Sequence, residues 1–559
     1  MKHTFSIVLF FILSIGLNAQ TVEGTVGSDG SLIPYNVSAS ADVQDGTITE
    51  AKLDASLASK VNSSGGLLGT TTIEEHGGDG TDLIDDSDAF ESALNTGKKV
   101  IGSPTATYII NTSKSFSTGK TYKFDGQGCK IISTSSNNSF LLTFVNARIE
   151  FENFEFDGQS YSSKFMYMNG SDANLKNIDV RNLYSSINQS FAFQIDIKTT
   201  DGSFKDFVSD NVNGYNLESL KNSVIGDGQG VTRLFYIRYV QTDEPANLVF
   251  KNGYAEDLFG DDGDAFDFDS TNDEYDHEVK ATIDNYTIKN CTRRAIKGFA
   301  SNVTVKNCTL YMIAGDNTEI TTPTALVSFG REDISVDYNV NSGAYNNRFI
   351  DENTTPVNVD LLAFGTVKNF TVFGNVFKRN VLTSGGLGLG FFNALNGVEI
   401  SNNTFYNANI TGFGATNNGN IKVSNNEFTV DLRTNASYVG GFFRYGSTGG
   451  ISDVDILNNT FTSFDNTDNL NNYGVFYAGG GTTNNINILD NTYLTKGTNG
   501  SRYFLRTKGS MTSNSRIMGN KFIGKTGVSA FRFDSSATST FSNYSNVDGT
   551  NTALTIVSF

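Results

Sequence analysis

Residues 252–279 read NGYAEDLFGDDGDAFDFDSTNDEYDHEV and carry eleven carboxylates in 28 positions. Two of them, Asp267 and Asp269, alternate with Phe266 and Phe268. A period of two marks a strand, in which the phenylalanines take the core and the acids face outward. Like charges at this density repel one another, which raises some carboxylate pKa values or recruits a cation. Calcium is the cation that takes several carboxylate oxygens, with Asp261 and Asp269 as candidate ligands, although the spacing is not that of an EF-hand loop. Asp262, Asp264 and Asp267 are the candidates for proton transfer, because a carboxylate pair can serve as general acid and base.

The segment CTRRAIKGFA, residues 291–300, supplies bases at a matching interval. Thirty residues separate Asp264 from Arg294, and thirty separate Asp267 from Lys297. A lysine freed from water can act as a base. An outer groove carrying Asp264, Asp267, Arg294 and Lys297 is therefore expected. The competing reading is a set of surface ion pairs of little energetic weight. Because the acids are expected to face outward, Asp267→Asn should leave folding intact. Tyr236 and Arg238, in RLFYIRYVQ, share an outer face once Phe235 and Ile237 take the core; with Arg293 they are the candidate binding residues. The chain has only three histidines, His3, His76 and His277. A histidine-based nucleophile or metal cluster is therefore poorly supported.

An internal repeat must position these residues. FTVFGNVF, VEISNNTF, IKVSNNEF, VDILNNTF, INILDNTY and SRIMGNKF each alternate apolar residues and then place Asn before an aromatic. The aligned residues are Asn375, Asn403, Asn426, Asn459, Asn491 and Asn520, so five steps span 145 residues. Looser copies place Asn153, Asn182, Asn290 and Asn307 in the same role. A strand with one apolar face cannot bury it alone, but coils stacked at ~4.8 Å pair every backbone group with the coil above and below. The expected fold is all-β: a right-handed, single-stranded parallel β-helix of roughly 15 coils, about 70 Å long. Inward asparagines form a ladder at the turn, and Cys291 and Cys308 take ladder positions in adjacent copies, where they are expected to stack as buried thiols, with a disulfide as the alternative.

The chain is 559 residues long with 56 Gly, 44 Phe, 23 Tyr, 5 Pro and no Trp, a mixture suited to short strands and polar turns. A formal charge of −18 excludes a basic nucleic-acid footprint, and no Lys/Arg run addresses an anionic membrane. Three cysteines cannot form a disulfide framework. Residues 1–19 read as an export signal, with cleavage after Ala19. Residues 20–70 form a polar stem. It contains a capping box, Thr47-Ile48-Thr49-Glu50, and a helix whose Leu53, Leu57 and Val61 make one narrow apolar stripe. Residues 71–111 form a capping segment with a helix over 88–94 and strands at 99–101 and 108–110. The β-helix proper is 112–559.

Three resemblances follow from these residues. DGTITEAKLDASLASKVN resembles linker helices of phage tail-fibre and tailspike proteins, which implies a homotrimer. Gly78-Asp79-Gly80, Asp85-Asp86, the short helix and Pro104 to Tyr108 are similar to the opening of the pectate lyase superfamily and of the tailspikes that share its fold. There the segment is an end cap, so its acids are expected to be structural. Gly260-Asp261-Asp262-Gly263-Asp264 resembles the Gly-Asp-Asp motif of polygalacturonase-type glycoside hydrolases, which implies that two aspartates hydrolyse a glycosidic bond, although the Gly-His-Gly partner is missing. A base beside acids resembles pectate lyases, where calcium on aspartates grips uronates and Arg or Lys removes the α-proton. The resemblances imply a polysaccharide or cell-surface glycan as partner. They leave open a lyase, a glycoside hydrolase, a binding protein or a structural fibre, either secreted or at the cell surface, with a phage virion tail as the alternative.

Overall fold

The computed structural model describes the strands Ile7–Leu9, Gln20–Val22, Gly24–Val26 and Leu32–Pro34, and residues 69–558 except 187–188, 200–205, 221–229, 242–243, 271–277, 313–324, 331–338, 358, 384–387, 392–394, 413–417, 435–440, 446–450, 465–473, 479–482, 497–504, 508–513, 524–530, 534–541, 545 and 549–555. The chain divides into two compact units, Met1–Gly69 and Thr70–Phe559. In the first, Ile7–Leu9 pairs antiparallel with Gln20–Val22, and Gly24–Val26 with Leu32–Pro34. The remainder of the expected export signal, and the expected stem helix with its Leu53, Leu57 and Val61 stripe, lie outside the described residues.

The second unit is a solenoid. One wall is a sixteen-stranded sheet running from Lys114–Phe116 to Ile556–Ser558, in which every neighbour is the corresponding strand of the next coil. All of these pairings are parallel, and parallel crossovers in one sheet are right-handed. Sixteen strands at ~4.8 Å give about 70 Å of stacked coils. The other walls are strands that meet at corners, such as Val367–Phe373 and Val376–Arg379. The chain is thus a right-handed parallel β-helix.

The corner between those two strands carries the asparagine ladder. Asn375, Asn403, Asn426, Asn459, Asn491 and Asn520 are all buried, and Asn347 and Asn546 extend the column. Each Oδ1 accepts the backbone N–H and the side-chain Nδ2–H of the asparagine one coil earlier: Asn375 gives both to Asn403 at 2.8 and 3.0 Å, and Asn403 gives both to Asn426 at 2.8 and 3.0 Å. Each Nδ2 also reaches a main-chain carbonyl, as Asn403 does with Val372 at 2.9 Å. Two residues on, Phe349, Phe377, Phe405, Phe428 and Phe461 stack at centroid separations of 4.4–4.9 Å. Burying each such ring contributes roughly 2–3 kcal/mol.

The looser copies belong elsewhere. Asn153, Asn182, Asn290 and Asn307 have φ of +62°, +52°, +52° and +56° and are not ladder residues. Asparagine tolerates this left-handed turn geometry. In the regular coils it is the residue before the ladder that adopts it, as Asn402 and Asn425 do. After Asn307, Cys308 does take the ladder column, giving its N–H to Asn347 at 2.9 Å. Cys291 does not: it pairs with Leu258 at a different corner, and both thiols are free and buried.

At the N-terminal end, helix Ser87–Asn95 lays Phe90, Ala93 and Leu94 into the first coils. The cap acids are spent on the backbone. Asp86 accepts the N–H groups of Asp79 and Ile109, both at 2.9 Å, and Asp85 accepts those of Ser87 and Asn111.

Candidate functional site

Four consecutive strands of the sixteen-stranded sheet build the candidate site: Gln189–Lys198, Val231–Gln241, Asp262–Ser270 and Arg294–Gly298. Their register places Arg233, Asp264 and Arg294 in one column, and Tyr236, Asp267 and Lys297 in another. A third column holds Asp196, Arg238 and Asp269. The 30-residue interval thus corresponds to one coil. Between the first two columns, Leu234-Phe235, Ala265-Phe266 and Ala295-Ile296 are consecutive buried pairs. Two inward residues in succession bend the strand and reset its alternation, which leaves Arg233, Asp264 and Arg294 on the outer side.

Outer side does not mean exposed. Asp264 is 0 % accessible, Arg233 1 %, Asp267 2 % and Arg294 4 %. The expectation that these acids stand free on an open groove fails, because the long bases fold over them. Arg233 is the hub: it contacts Asp262 Oδ2 at 2.6 Å, Asp264 Oδ2 at 3.2 Å and Asp267 Oδ2 at 2.8 Å. Its remaining N–H groups reach the carbonyls of Thr232 and Asp262. Arg293 meets Asp262 Oδ1 at 2.9 Å, Arg294 meets Asp262 at 3.3 Å and Asp264 at 3.4 Å, and Lys297 meets Asp267 at 3.2 Å. The expected insensitivity of the fold to Asp267→Asn fails with this geometry, since the substitution would remove a buried charge that two cations need.

The electrostatics separate the three acids. Burial pushes Asp262 up, but Arg233, Arg294, Arg293 and Lys297 more than reverse this, so it is held well below the usual carboxylate range. Asp267 is likewise lowered: burial opposes ionisation, and Lys297 and Arg233 overcome it. Asp264 is raised by its complete burial, with Arg233 and Arg294 opposing and Asp262 and Asp267 adding to the rise. Carboxyls whose environments pull them apart in this way can divide acid and base roles. Asp262 is the one of the three with solvent access, and Arg293 and Lys297 are also partly exposed. Phe299 lies under the cations, 4.7 Å from Lys297 Nζ.

The candidate binding residues stand beside this cluster. Arg238 clamps Asp196 through both Nε and Nη2, and Asp196 also accepts the Tyr167 hydroxyl at 2.7 Å. Tyr236 is half-buried, as expected of an outer tyrosine, and burial with Asp269 and Asp267 nearby pushes its hydroxyl up to about 12. The candidate calcium ligands are not brought together. Asp261 precedes the Asp262–Ser270 strand and Asp269 lies near its far end, within 3.4 Å of the Tyr236 hydroxyl. Among the described residues, no group of three or more His, Cys, Asp or Glu side chains is arranged to hold a metal ion.

Sequence reasoning missed Arg233. Strict alternation from Phe235 and Ile237 sends it into the core; the informative signal was its interval of 31 residues before Asp264.

The fold and this wall define a right-handed parallel β-helix protein with a buried ionic cluster on one face. No protein-family model matches the sequence, and no curated protein matches it significantly. Among solved structures it is similar to gene product 12 of bacteriophage phi29 in its pre-mature form, with 11 % identity over 86 % of this chain and 73 % of that one and a TM-score of 0.41. It is also similar to tailspike protein 3 of bacteriophage CBA120 (11 %, 86 % and 61 %, 0.35), so it spans 61 % of that chain. A third is the catalytic unit of an α-1,3-glucanase from Streptomyces thermodiastaticus (14 %, 86 % and 69 %, 0.26). At these values the likeness says nothing about the site, and the fold stands on the strand register itself. Among the described residues, no helix is long and apolar enough to cross a membrane.

Proposed function

We propose that this β-helix is a polysaccharide-directed protein of the extracellular space, with its glycan site on the outer wall around Arg233, Asp262, Arg293 and Lys297. One observation carries the reading. The β-helix does not need charge at every coil: in the Tyr236–Asp267–Lys297 column, the next four coils carry Ser328, Ala363, Gly390 and Thr411 before Arg444 follows. Burying ion pairs usually costs as much as it returns, so stability alone is a poor reason for this cluster. Preorganised charge beside a partly exposed aromatic suits a sugar polymer, whose rings stack on Phe299 while its hydroxyls meet Asp262 and Arg293.

For an enzyme, Asp262 is the accessible carboxylate held ionised for base or nucleophile work, Arg293 and Lys297 are the partly accessible cations, and Asp264, Asp267 and Arg294 position them. The complete burial of Asp264 and Asp267 favours a second reading, a wall that holds a glycan without cutting it. Incubation with a polysaccharide panel separates the two. Ultraviolet-absorbing ends mark elimination, reducing ends without absorbance mark hydrolysis, and retention without products marks binding. Arg293→Ala, which leaves Asp262 paired with Arg233 and Arg294, should abolish whichever signal appears at nearly unchanged melting temperature. Neither binding nor cleavage of any polymer would reject the proposal.

Two finer proposals accompany it: export directed by residues 1–19, and trimerisation through the 50–61 segment. Light scattering tests the second, and a monomer at micromolar concentration would reject it.

A further inference from the structure

Upstream on the same wall, rings take over from ion pairs. Phe140, Lys164 and Phe191 stand in register on successive coils, and their column continues into Arg233, Asp264 and Arg294. Lys164 Nζ lies 5.4 Å from the Phe140 ring centre and 5.5 Å from that of Phe191. In the adjoining column, Tyr167 and Tyr236 flank this cradle: Phe140 and Tyr167 are 5.3 Å apart, and Phe191 and Tyr236 are 5.2 Å apart. The Tyr167 hydroxyl is tied to Asp196 and that of Tyr236 approaches Asp269, which fixes both rings.

The cations on this wall differ in one respect. Arg238 is held by Asp196, Arg293 by Asp262 and Lys297 by Asp267. Lys164 has no carboxylate within ion-pair distance among the described residues; its ammonium donates to Gln189 Oε1 at 3.0 Å. Burial lowers its pKa, and no neighbouring acid restores it. This half-buried ammonium has three donors and one protein acceptor, so an anion arriving from the solvent side can take the others in place of water.

We propose that Lys164, between Phe140 and Phe191, is a subsite for a negatively charged substituent on a glycan whose rings lie along Tyr167 and Tyr236. This rests on the reading of the wall as a polysaccharide site and adds the ligand's charge and a second point of attachment. Lys164 stands three coils from Asp264, about 14 Å at ~4.8 Å per coil, so a polymer spans both places and a single sugar does not. The attraction is local, since the chain as a whole carries a formal charge of −18.

The test uses the full chain with polygalacturonate, alginate, dextran sulfate and dextran, together with the carboxyl-reduced form of whichever polyuronate binds. The parent should hold at least one anionic polymer about tenfold more tightly than its neutral counterpart, as expected for one charge-assisted contact, and added salt should erase the difference. Polyuronate binding identifies a carboxylate subsite, and dextran sulfate binding alone a sulfate subsite. K164Q should lose the tenfold preference while its affinity for the neutral form is unchanged, and K164R should retain the preference. Glycan binding with no preference for charge, or a preference that survives in K164Q, overturns the subsite and leaves the proposed function standing. If no polymer binds, both fall together. If K164Q melts early, F140A with K164R supplies the comparison: loss of preference in F140A with its retention in K164R supports the cradle, and retention in both overturns it.

Discussion

The coils from Asn347 to Asn546 and those from Gln189 to Gly298 meet the same requirement by opposite means. Both must satisfy polar groups that water does not reach. At their ladder corner the later coils use one neutral side chain, repeated, in which every amide is both donor and acceptor, and they bury the single pair Arg379–Asp351 elsewhere. The earlier coils use charges of both signs around Arg233, no two alike in partners. The neutral solution can be repeated at will because each step is identical. The charged one cannot, because removing a buried member such as Arg233 or Asp267 strands its neighbours. Repetition therefore marks parts of this protein that serve the fold, and the charged wall, where repetition stops, is where the glycan site is proposed.

The contrast is broken most severely by Arg233→Met, which leaves Asp262, Asp264 and Asp267 short of their common partner. A loss of about 3–5 kcal/mol is expected, read from urea unfolding; a loss below about 1 kcal/mol would show that the hub is dispensable. Asn403→Leu should cost less, about 2–3 kcal/mol, because it orphans the Asn375 N–H and the Val372 carbonyl but no charge. An equal or larger loss than for Arg233→Met would reverse the ranking.

Acid sharpens the comparison. Asp262 and Asp267 have folded pKa values below their unfolded ones. Their contribution is complete above the ordinary carboxylate value, about 3.9, and is lost as pH falls through the depressed folded values. Asp264 has the opposite sign: its raised folded pKa means that it takes up a proton as pH falls and relieves repulsion. The two lowered acids outnumber it, so strands Val231–Gln241 and Asp262–Ser270 should lose hydrogen-exchange protection below about pH 4 relative to Leu395–Ser401 and Glu427–Asp431. A protection ratio independent of pH would contradict this. The smallest effect belongs to Lys422→Ala on the regular coils, whose half-exposed contact with Glu399 at 3.4 Å should be worth less than about 0.5 kcal/mol. A measurable shift in melting would show that the outer faces of the two regions are alike after all.

The same contrast governs what the sequence discloses. The ladder was legible because doublets such as Asn402-Asn403 and Asn425-Asn426 follow an alternating strand at a steady interval. Its earlier extension was misread because asparagine serves two neighbouring positions, one for its left-handed backbone and one for its amide. Only the first is asparagine at Asn153, followed by Phe154, and at Asn307, followed by Cys308. At the candidate site, the pairing of Asp264 with Arg294 and of Asp267 with Lys297 followed from a spacing of one coil. Burial did not follow, because alternation gives direction, and only the reach of Arg233 and Arg294 decides whether water arrives. Arg233 itself was hidden by the Leu234-Phe235 bend, since a change of phase inside a strand leaves no mark in composition.

The asparagine ladder has a direction. Each main-chain N–H in the column is received by the amide oxygen of the coil that follows it in sequence, from Asn375 to Asn403 and on to Asn520 and Asn546. Each coil satisfies the one before it and has the same need in turn. Such a column has a polarity: losing one ladder amide orphans the main-chain donor of the coil before it, while the donor of its own coil still reaches the amide that follows.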